Sequence, residues 1–297
     1  MILMEKPQVP QRMVHLDCIS GISDMPMKAR CTEIADLIAE EETEYERMAN
    51  ARELHLALSH PRGGDENCEM LRVTRGDLKS LYSKQMVPAS KAARVHYDSI
   101  KMSAKGNICP YCGVGSVETL DHFLPKGRYS RFSILPINLV PSCRDCNTTK
   151  ADDVCTYESA SSHPYFEDTA VMTEQWLQAE ILEAGEILAV YSATPPDHWP
   201  ERRAARITNH FNALGLARRY GIQAATRMIV YAEFIAEMRK NVGEDMMTSV
   251  LNMYVKGEVR AAGVNSWQAA LARAVLRSEY FLEEGYRRFV RNSQAAQ

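Results

Sequence analysis

The chain has 297 residues, of which 45% are hydrophobic and 25% charged, and its formal net charge is −3. This composition is typical of a globular protein with room for two domains, and it excludes a low-complexity chain. No apolar run approaches the roughly 18 residues of a transmembrane helix, and the apolar start ends at Glu5, too early for a signal sequence. We therefore expect no membrane association and a cytoplasmic location.

The charges are unevenly distributed along the chain. Residues 24 to 58 hold nine acidic and four basic residues, whereas residues 71 to 105 hold eight basic and two acidic ones. Residues 151 to 201 contain eleven acidic residues and no Lys or Arg. Most charge runs are solvated helix faces, but local basic patches rather than net charge decide contact with phosphates. Nucleic acid therefore remains a candidate ligand despite the negative total.

The pattern before residue 107 is mainly helical. Residues 1 to 23 show no clear period and are predicted to be irregular, while residues 26 to 58 predict one long helix with an acidic outer face. Thr74, followed by Asp77, has the spacing of a capping box and predicts a helix that ends near Val87. Pro88 is expected to begin a further helix that extends to about Ser103.

Two Cys-x-x-Cys pairs bracket the most informative stretch of the chain. They are Cys109/Cys112 and Cys143/Cys146, separated by 30 residues. Each such turn directs two thiolates at one centre, and four thiolates complete a tetrahedral zinc site with no open position for catalysis. We predict a structural Zn²⁺ here; a redox pair or unrelated thiols is the alternative.

Polar residues lie at defined positions within and after this frame. Asp121 and His122 fall in an apolar run that predicts a strand, so their side chains are expected on opposite faces unless the strand ends there. Asn138 lies in a predicted loop before the second cysteine pair, and Asn147 is expected to open a short helix. An isolated histidine is usually structural, but an Asp-His pair inside a four-cysteine frame favours catalysis.

The ordered set of these residues resembles the HNH, or ββα-metal, endonuclease family in its zinc-bearing form. The likeness covers residues 109 to 150, with Asn147 where many members carry the last histidine. It implies hydrolysis of phosphodiester bonds with one divalent metal. By resemblance, His122 is the general base, Asp121 and Asn147 are ligands of Mg²⁺ or Mn²⁺, and Asn138 orients the loop that carries His122.

Basic residues of the same stretch are candidates for contact with nucleic-acid phosphates, which would position the strand without reading its sequence. They are Lys126, Arg128, Arg131, Arg144 and Lys150. Tyr129 and Phe132 are weighed either as base-stacking platforms or as packed core residues. His163, in a His-Pro-aromatic segment, is an auxiliary metal candidate, although its neighbours Tyr165 and Phe166 favour simple packing.

The remainder of the chain predicts a hairpin and several helices. Two apolar runs between Trp176 and Ala193 meet at a glycine and predict a β-hairpin, with a helix through 176–182 as the competitor. Helices are predicted at 201–214, 217–240 and 244–256. Ser266 is predicted to cap a last long helix that contains Phe281 and Phe289.

The sequence thus predicts an α+β, mostly α protein: a small ββα-metal nuclease module with four-cysteine zinc knuckles, set between helical flanking regions. Its expected parts are residues 1–106 (helical), 107–168 (nuclease module) and 169–297 (mainly helical). The flanks also look like standalone HNH proteins of bacterial anti-phage defence systems (Septu and retron-linked), which pair with an ATPase partner. The expected activity is DNA cleavage; an RNA-cleaving nuclease and a non-catalytic zinc-ribbon binding module are the alternatives.

Overall fold

The computed structural model describes residues 1–150 and 152–294, and the chain forms two compact units, Met1–Glu167 and Asp168–Gln297. The described residues are α+β and mostly helical, with two-stranded antiparallel sheets, as predicted at that level. The four-cysteine segment and the preceding helices belong to the same unit. No helix in the described ranges combines the length and the apolar character needed to cross a membrane.

The first unit contains six α-helices in its described residues: α1 (Gln11–Ser20), α2 (Met25–Glu33), α3 (Ala35–Ala51), α4 (Arg75–Ser80), α5 (Arg94–Met102) and α6 (Arg144–Thr149). Its strands are β1 (Cys68–Met70), β2 (Val73–Thr74), β3 (Thr119–His122) and β4 (Leu139–Ser142). β1 pairs with β2 and β3 with β4, both antiparallel.

Two predictions for the N-terminal region are wrong. Residues 1–23 are not irregular throughout, because α1 buries Val14 and Cys18, one helical turn apart, in the core. The predicted single helix over 26–58 is two helices separated at Ile34, a fully buried residue with non-helical ψ of 6°. α3 then ends at Arg52, whose left-handed backbone (φ 61°) terminates a helix.

The capping box predicted at Thr74 is confirmed. The Thr74 hydroxyl accepts from the Asp77 amide at 3.1 Å, and the Asp77 carboxylate accepts from the Thr74 amide at 3.1 Å. α4 continues as a π-helical turn, Leu81–Met86. The next helix begins at Arg94 rather than Pro88, because residues 88–93 form turns, one closed by the Lys91 amide on the Pro88 carbonyl at 3.2 Å.

The core of the first unit joins the helices to the β3–β4 hairpin. Leu120 of β3 and Leu139 of β4 are buried in the same apolar cluster as residues of α1, α2, α3, α4 and α5. The Tyr82 hydroxyl, from the π-helical turn, donates to the Leu120 carbonyl at 3.3 Å. The helical region therefore fixes the hairpin that carries the predicted site.

The second unit contains α7 (Ala170–Thr173), β5 (Leu177–Ala184), β6 (Glu186–Ala193), α8 (Glu201–Ala213), α9 (Leu216–Asn241), α10 (Glu244–Ala262), α11 (Trp267–Arg277) and α12 (Tyr286–Gln294). β5 and β6 form the predicted hairpin, which turns at Gly185 with φ 78°. The Ser266 hydroxyl caps α11 by accepting from the Ala269 amide, as predicted. The expected last long helix is instead interrupted, because Ser278 is extended and a π-helical turn, Phe281–Gly285, precedes α12.

Candidate functional site

The four cysteines of the two Cys-x-x-Cys turns form one buried cluster. The Sγ atoms of Cys109, Cys112, Cys143 and Cys146 all lie within 4.8 Å of one another. Cys112 Sγ and Cys143 Sγ are 3.9 Å apart, close to the roughly 3.8 Å that separates two sulfurs bound tetrahedrally to one zinc ion at about 2.3 Å. The cluster can therefore hold a structural metal such as Zn²⁺.

The backbone supports two of these sulfurs as acceptors. The Gly115 amide donates to Cys112 Sγ at 3.4 Å, and the Cys146 amide donates to Cys143 Sγ at 3.5 Å. Such bonds favour the thiolate form that metals bind. Hydrogen bonding from neighbouring thiols, together with burial, raises the pKa of Cys146, so four thiolates coexist here only when a cation neutralises them.

The hairpin of β3 and β4 connects the two cysteine turns. Asp121 lies opposite Val140, and His122 lies opposite Leu139 at the end of the pairing. The residues after Asn138 form β4, so the loop predicted there is a strand that leads directly to Cys143. Cys143 caps α6, which packs against β3. β3, β4 and α6 thus pack together beside the cysteine cluster.

His122 lies at the end of β3 with 8% of its surface exposed. Its ring meets the Tyr82 ring edge-on at a centroid distance of 4.4 Å, and Nε2 lies 2.8 Å from the Ser133 carbonyl oxygen. A carbonyl oxygen only accepts, so Nε2 carries the proton and Nδ1 carries the lone pair. Burial, and then the positive charge of Lys126, lower the His122 pKa to about 3, which keeps the ring neutral near pH 7.

Asp121 faces a different set of partners, as the predicted strand alternation requires. Its Oδ2 accepts from the Tyr111 hydroxyl at 2.8 Å and from Lys150 Nζ at 2.6 Å. The same ammonium donates to the carbonyl oxygens of His122 and Phe123, each at 2.8 Å. Three oxygens therefore surround one half-buried positive charge beside β3.

Asn138 is fully buried and bonds the chain just after His122. Its Oδ1 accepts from the Leu124 amide at 2.7 Å, while its Nδ2 donates to the carbonyls of Leu124 and Phe132, each at 3.1 Å. These three bonds join Asn138 to the backbone on both sides of the turn that follows β3. Asn147 lies inside α6 rather than at its start, and it is exposed. It is not among the partners described above for Asp121, which are Tyr111 and Lys150.

The predicted nucleic-acid contacts fall into two groups. Arg144 is 82% exposed, and its Nε lies 3.6 Å from Glu118 Oε2. Lys126 and Arg128 are half-buried, and the Lys126 ammonium lies 4.6 Å from the centroid of the Tyr82 ring. Arg131 and Lys150 are held by acidic groups inside the unit. Arg131 lies 3.5 Å from Glu41 and 3.3 Å from Glu69 and is 18% exposed.

The aromatic residues of this stretch belong to the core. Tyr129 and Phe132 are 0% and 2% exposed, so the base-stacking interpretation is wrong and the packing alternative is confirmed. His163 is also buried, and its ring stacks on Phe123 at 4.0 Å between centroids. The His163 Nε2 atom lies 3.3 Å from the Tyr45 hydroxyl, which makes it part of a side-chain network.

Several residues of the site escaped the sequence reasoning. Tyr111 lies between two cysteines, a position that marks it as part of the knuckle, but nothing in the pattern joins it to Asp121. Tyr45 contributes only one member of an apolar stripe on α3, and Ser133 carries no motif at all. These partners are brought together by tertiary packing, which the local pattern does not encode.

Comparison with known proteins shows a partial likeness to a phage protein. No protein-family model matches the sequence, and no solved structure matches it. The chain is 34% identical to Protein ea31 of Escherichia phage lambda over 159 residues, which are 52% of this chain and 53% of the phage protein. The chain thus spans about half the length of this curated relative, whose name states no activity.

Proposed function

We propose that this protein is a metal-dependent endonuclease that hydrolyses phosphodiester bonds of DNA, with β3, β4 and α6 as a ββα-metal module of the HNH type. The observation that carries the proposal is His122, a neutral imidazole at the end of a strand between two cysteine knuckles. Its Nε2–H is bound by the Ser133 carbonyl, so Nδ1 is the nitrogen that accepts a proton.

In this proposal His122 takes a proton from the attacking water through Nδ1. A base with a pKa near 3 holds a proton weakly, and ideal catalytic values lie near the working pH. A phosphodiester bound beside the ring brings a negative charge that offsets Lys126 and so raises the His122 pKa, while burial, the larger cause of the low value, still opposes protonation. The substrate thereby improves the base that acts on it.

The oxygen donors near β3 fit a hard divalent cation. The Asp121 carboxylate and two backbone carbonyls already surround one positive charge, that of Lys150. Oxygen ligands suit Mg²⁺ or Mn²⁺, whereas the four thiolates suit Zn²⁺. Asp121 and Asn147 would hold the ion, which would stabilise negative charge on the phosphoryl and leaving oxygens. Lys150 must then release Asp121, so the ion and the ammonium compete for that carboxylate.

Exposed and half-buried cations would bind the phosphates on either side of the scissile bond. Arg144 is exposed and would exchange its contact with Glu118 for a phosphate, and Lys126 and Arg128 lie near His122 in the sequence and are half-buried. We further propose that the nuclease is the effector of a bacterial anti-phage defence system and is controlled by an ATPase partner. The acidic run that includes α3 suits a basic partner surface, and the proposal otherwise depends on the resemblance described above.

A second function is favoured by one specific observation. Asp121 is engaged by Tyr111 and Lys150, and a carboxylate so occupied suits a structural role. The protein would then be a non-catalytic zinc-ribbon module that binds nucleic acid. RNA cleavage remains the alternative within the nuclease class, since the proposed site acts on the phosphodiester itself.

The test is incubation of zinc-loaded protein with supercoiled plasmid, and separately with labelled RNA, in Mg²⁺, in Mn²⁺ and in a chelator. Wild type is compared with His122→Ala and with a control, His96→Ala, whose ring pairs with Asp17 of α1. We expect metal-dependent cleavage by wild type and control and none by His122→Ala. Binding without cleavage by all three supports the zinc-ribbon module, and equal cleavage by all three refutes the assignment of His122.

A further inference from the structure

A chain of buried hydrogen bonds leads from the segment after the hairpin to the backbone beside His122. The Tyr165 amide donates to His163 Nδ1 at 3.2 Å, and His163 Nε2 lies 3.3 Å from the Tyr45 hydroxyl. That hydroxyl donates to Asn138 Oδ1 at 2.9 Å. Asn138 Oδ1 also accepts from the Leu124 amide at 2.7 Å, two residues after His122.

The direction of every bond in this chain follows from its neighbours. Because Nδ1 of His163 accepts from an amide, its Nε2 carries the proton and faces the Tyr45 oxygen, and the ring also bonds the Ile137 backbone, next to Asn138. The tyrosine has one proton, and it points to Asn138 Oδ1 because the Nδ2 group of Asn138 donates to two backbone carbonyls. Burial lowers the pKa of His163 well below its usual value, which keeps the ring in this single neutral form.

Packing fixes the same groups. Tyr45, Asn138 and His163 are 0%, 0% and 5% exposed. The Tyr45 ring meets Phe132 edge-on at 5.0 Å, and the His163 ring stacks on Phe123, the residue that follows His122. A buried hydroxyl with two partners in such a setting admits few alternative arrangements.

We propose that Tyr45 and His163 are positioning residues of the nuclease site, acting through Asn138 on the backbone that follows His122. Neither residue lies in the 109–150 stretch. Tyr45 comes from α3, 93 residues before Asn138, and His163 follows the hairpin. The catalytic effect rests on the proposed function. The hydrogen bond that holds the Leu124 amide does not depend on that function.

The test is Tyr45→Phe, which deletes one hydroxyl and keeps the ring. Two quantities are measured: kcat and KM for cleavage, and hydrogen exchange of the Leu124 amide by NMR. We expect kcat to fall about tenfold with KM unchanged, since a small misplacement of a catalytic group affects only the transition state. We expect the Leu124 amide to exchange several-fold faster, because its acceptor has lost a fixed orientation.

A matched control is Tyr191→Phe in the second unit. Tyr191 is also buried, and its hydroxyl donates to one acceptor, the backbone carbonyl of Trp267, at 3.1 Å. We expect this variant to leave kcat and Leu124 exchange unchanged. A general loss of stability from a missing buried hydroxyl would move both variants alike and would count against the proposal.

His163→Phe supplies a second variant if Tyr45→Phe does not fold. It removes the donor to Tyr45 and keeps a ring against Phe123, so kcat falls and Leu124 exchange rises in the same direction. The double variant should lose less than the sum of the two single effects, because His163 acts partly through that hydroxyl and partly through its bond with the Ile137 backbone. Unchanged Leu124 exchange in both single variants overturns the inference. An inactive wild type refutes a nuclease that acts without its partner, and exchange then decides the positioning claim alone.

Discussion

The cysteine cluster and the Asp121 site belong to one hairpin but balance their charges in opposite ways. Four thiols lie within 4.8 Å of one another, an arrangement whose ionised form needs a cation. Asp121 instead has a cation of the chain's own, the Lys150 ammonium at 2.6 Å. We therefore expect metal removal to destabilise the first unit through the cysteines, whereas the Asp121 carboxylate has its charge balanced without added metal.

The largest effect is expected from loss of a zinc ligand. Cys146→Ser should lower bound zinc from about one equivalent to near zero and unfold the first unit, because metal binding and folding are coupled at structural sites. Zinc content by mass spectrometry and thermal unfolding of the as-purified protein measure this. Cys68→Ser, at an exposed cysteine outside the cluster, is the control and should retain its zinc. Full zinc content in Cys146→Ser would contradict the assignment.

Removal of the Lys150 ammonium is expected to have the next largest effect. Lys150→Met leaves the Asp121 carboxylate, 8% exposed, without its charge partner, and should lower the free energy of unfolding by about 3 kcal/mol. Adding Asp121→Asn to it should recover part of that loss. Urea denaturation measures both, and Mn²⁺ should stabilise Lys150→Met more than wild type if ion and ammonium compete. Equal Mn²⁺ effects on the two proteins would rule out competition at Asp121.

The buried histidines predict a pH dependence of stability. Burial lowers the pKa of His163 well below its usual value, so the unfolded state binds more protons as pH falls below about 6.5. The free energy of unfolding therefore decreases as the pH falls below that value, by at most about 1.4 kcal/mol per pH unit for one proton. Urea denaturation between pH 7 and 5 should show a smaller slope in His163→Gln than in wild type. Identical slopes would mean that His163 does not titrate on unfolding.

The smallest effect separates exposed from buried arginines. Arg144→Ala should weaken nucleic-acid binding modestly and reduce the salt slope of the affinity by about one, with no change in Tm, since the side chain is 82% exposed. Arg131→Ala should lower Tm instead, because it leaves Glu41 without its partner and Glu69 with Arg75 alone. Filter binding at several salt concentrations and thermal unfolding distinguish the two. A Tm loss in Arg144→Ala would place that residue in the fold rather than at a binding surface.

The sequence predicts the contacts of some regions better than those of others, and the reason is physical. Cysteine spacing constrains a tetrahedral site locally, so the convergence of four thiols was predictable, as was the hairpin around Gly185. The contacts of Asp121 were not, because Lys150 follows it by 29 residues and only the packing of α6 on β3 brings them together. The separation of α2 and α3 at Ile34 was not predicted, because no local helix-ending signal marks it. Ile34 is instead a residue buried in the core.

The central claim is that His122 is the base of a metal-dependent nuclease, and single-turnover cleavage of a labelled DNA duplex tests it most directly. Zinc-loaded wild type and His122→Ala are compared at saturating protein in Mn²⁺, with affinity for the duplex measured in parallel. The account predicts a rate at least about 100-fold lower in the variant at unchanged affinity. Equal rates, or tight binding with no cleavage by wild type, would contradict it.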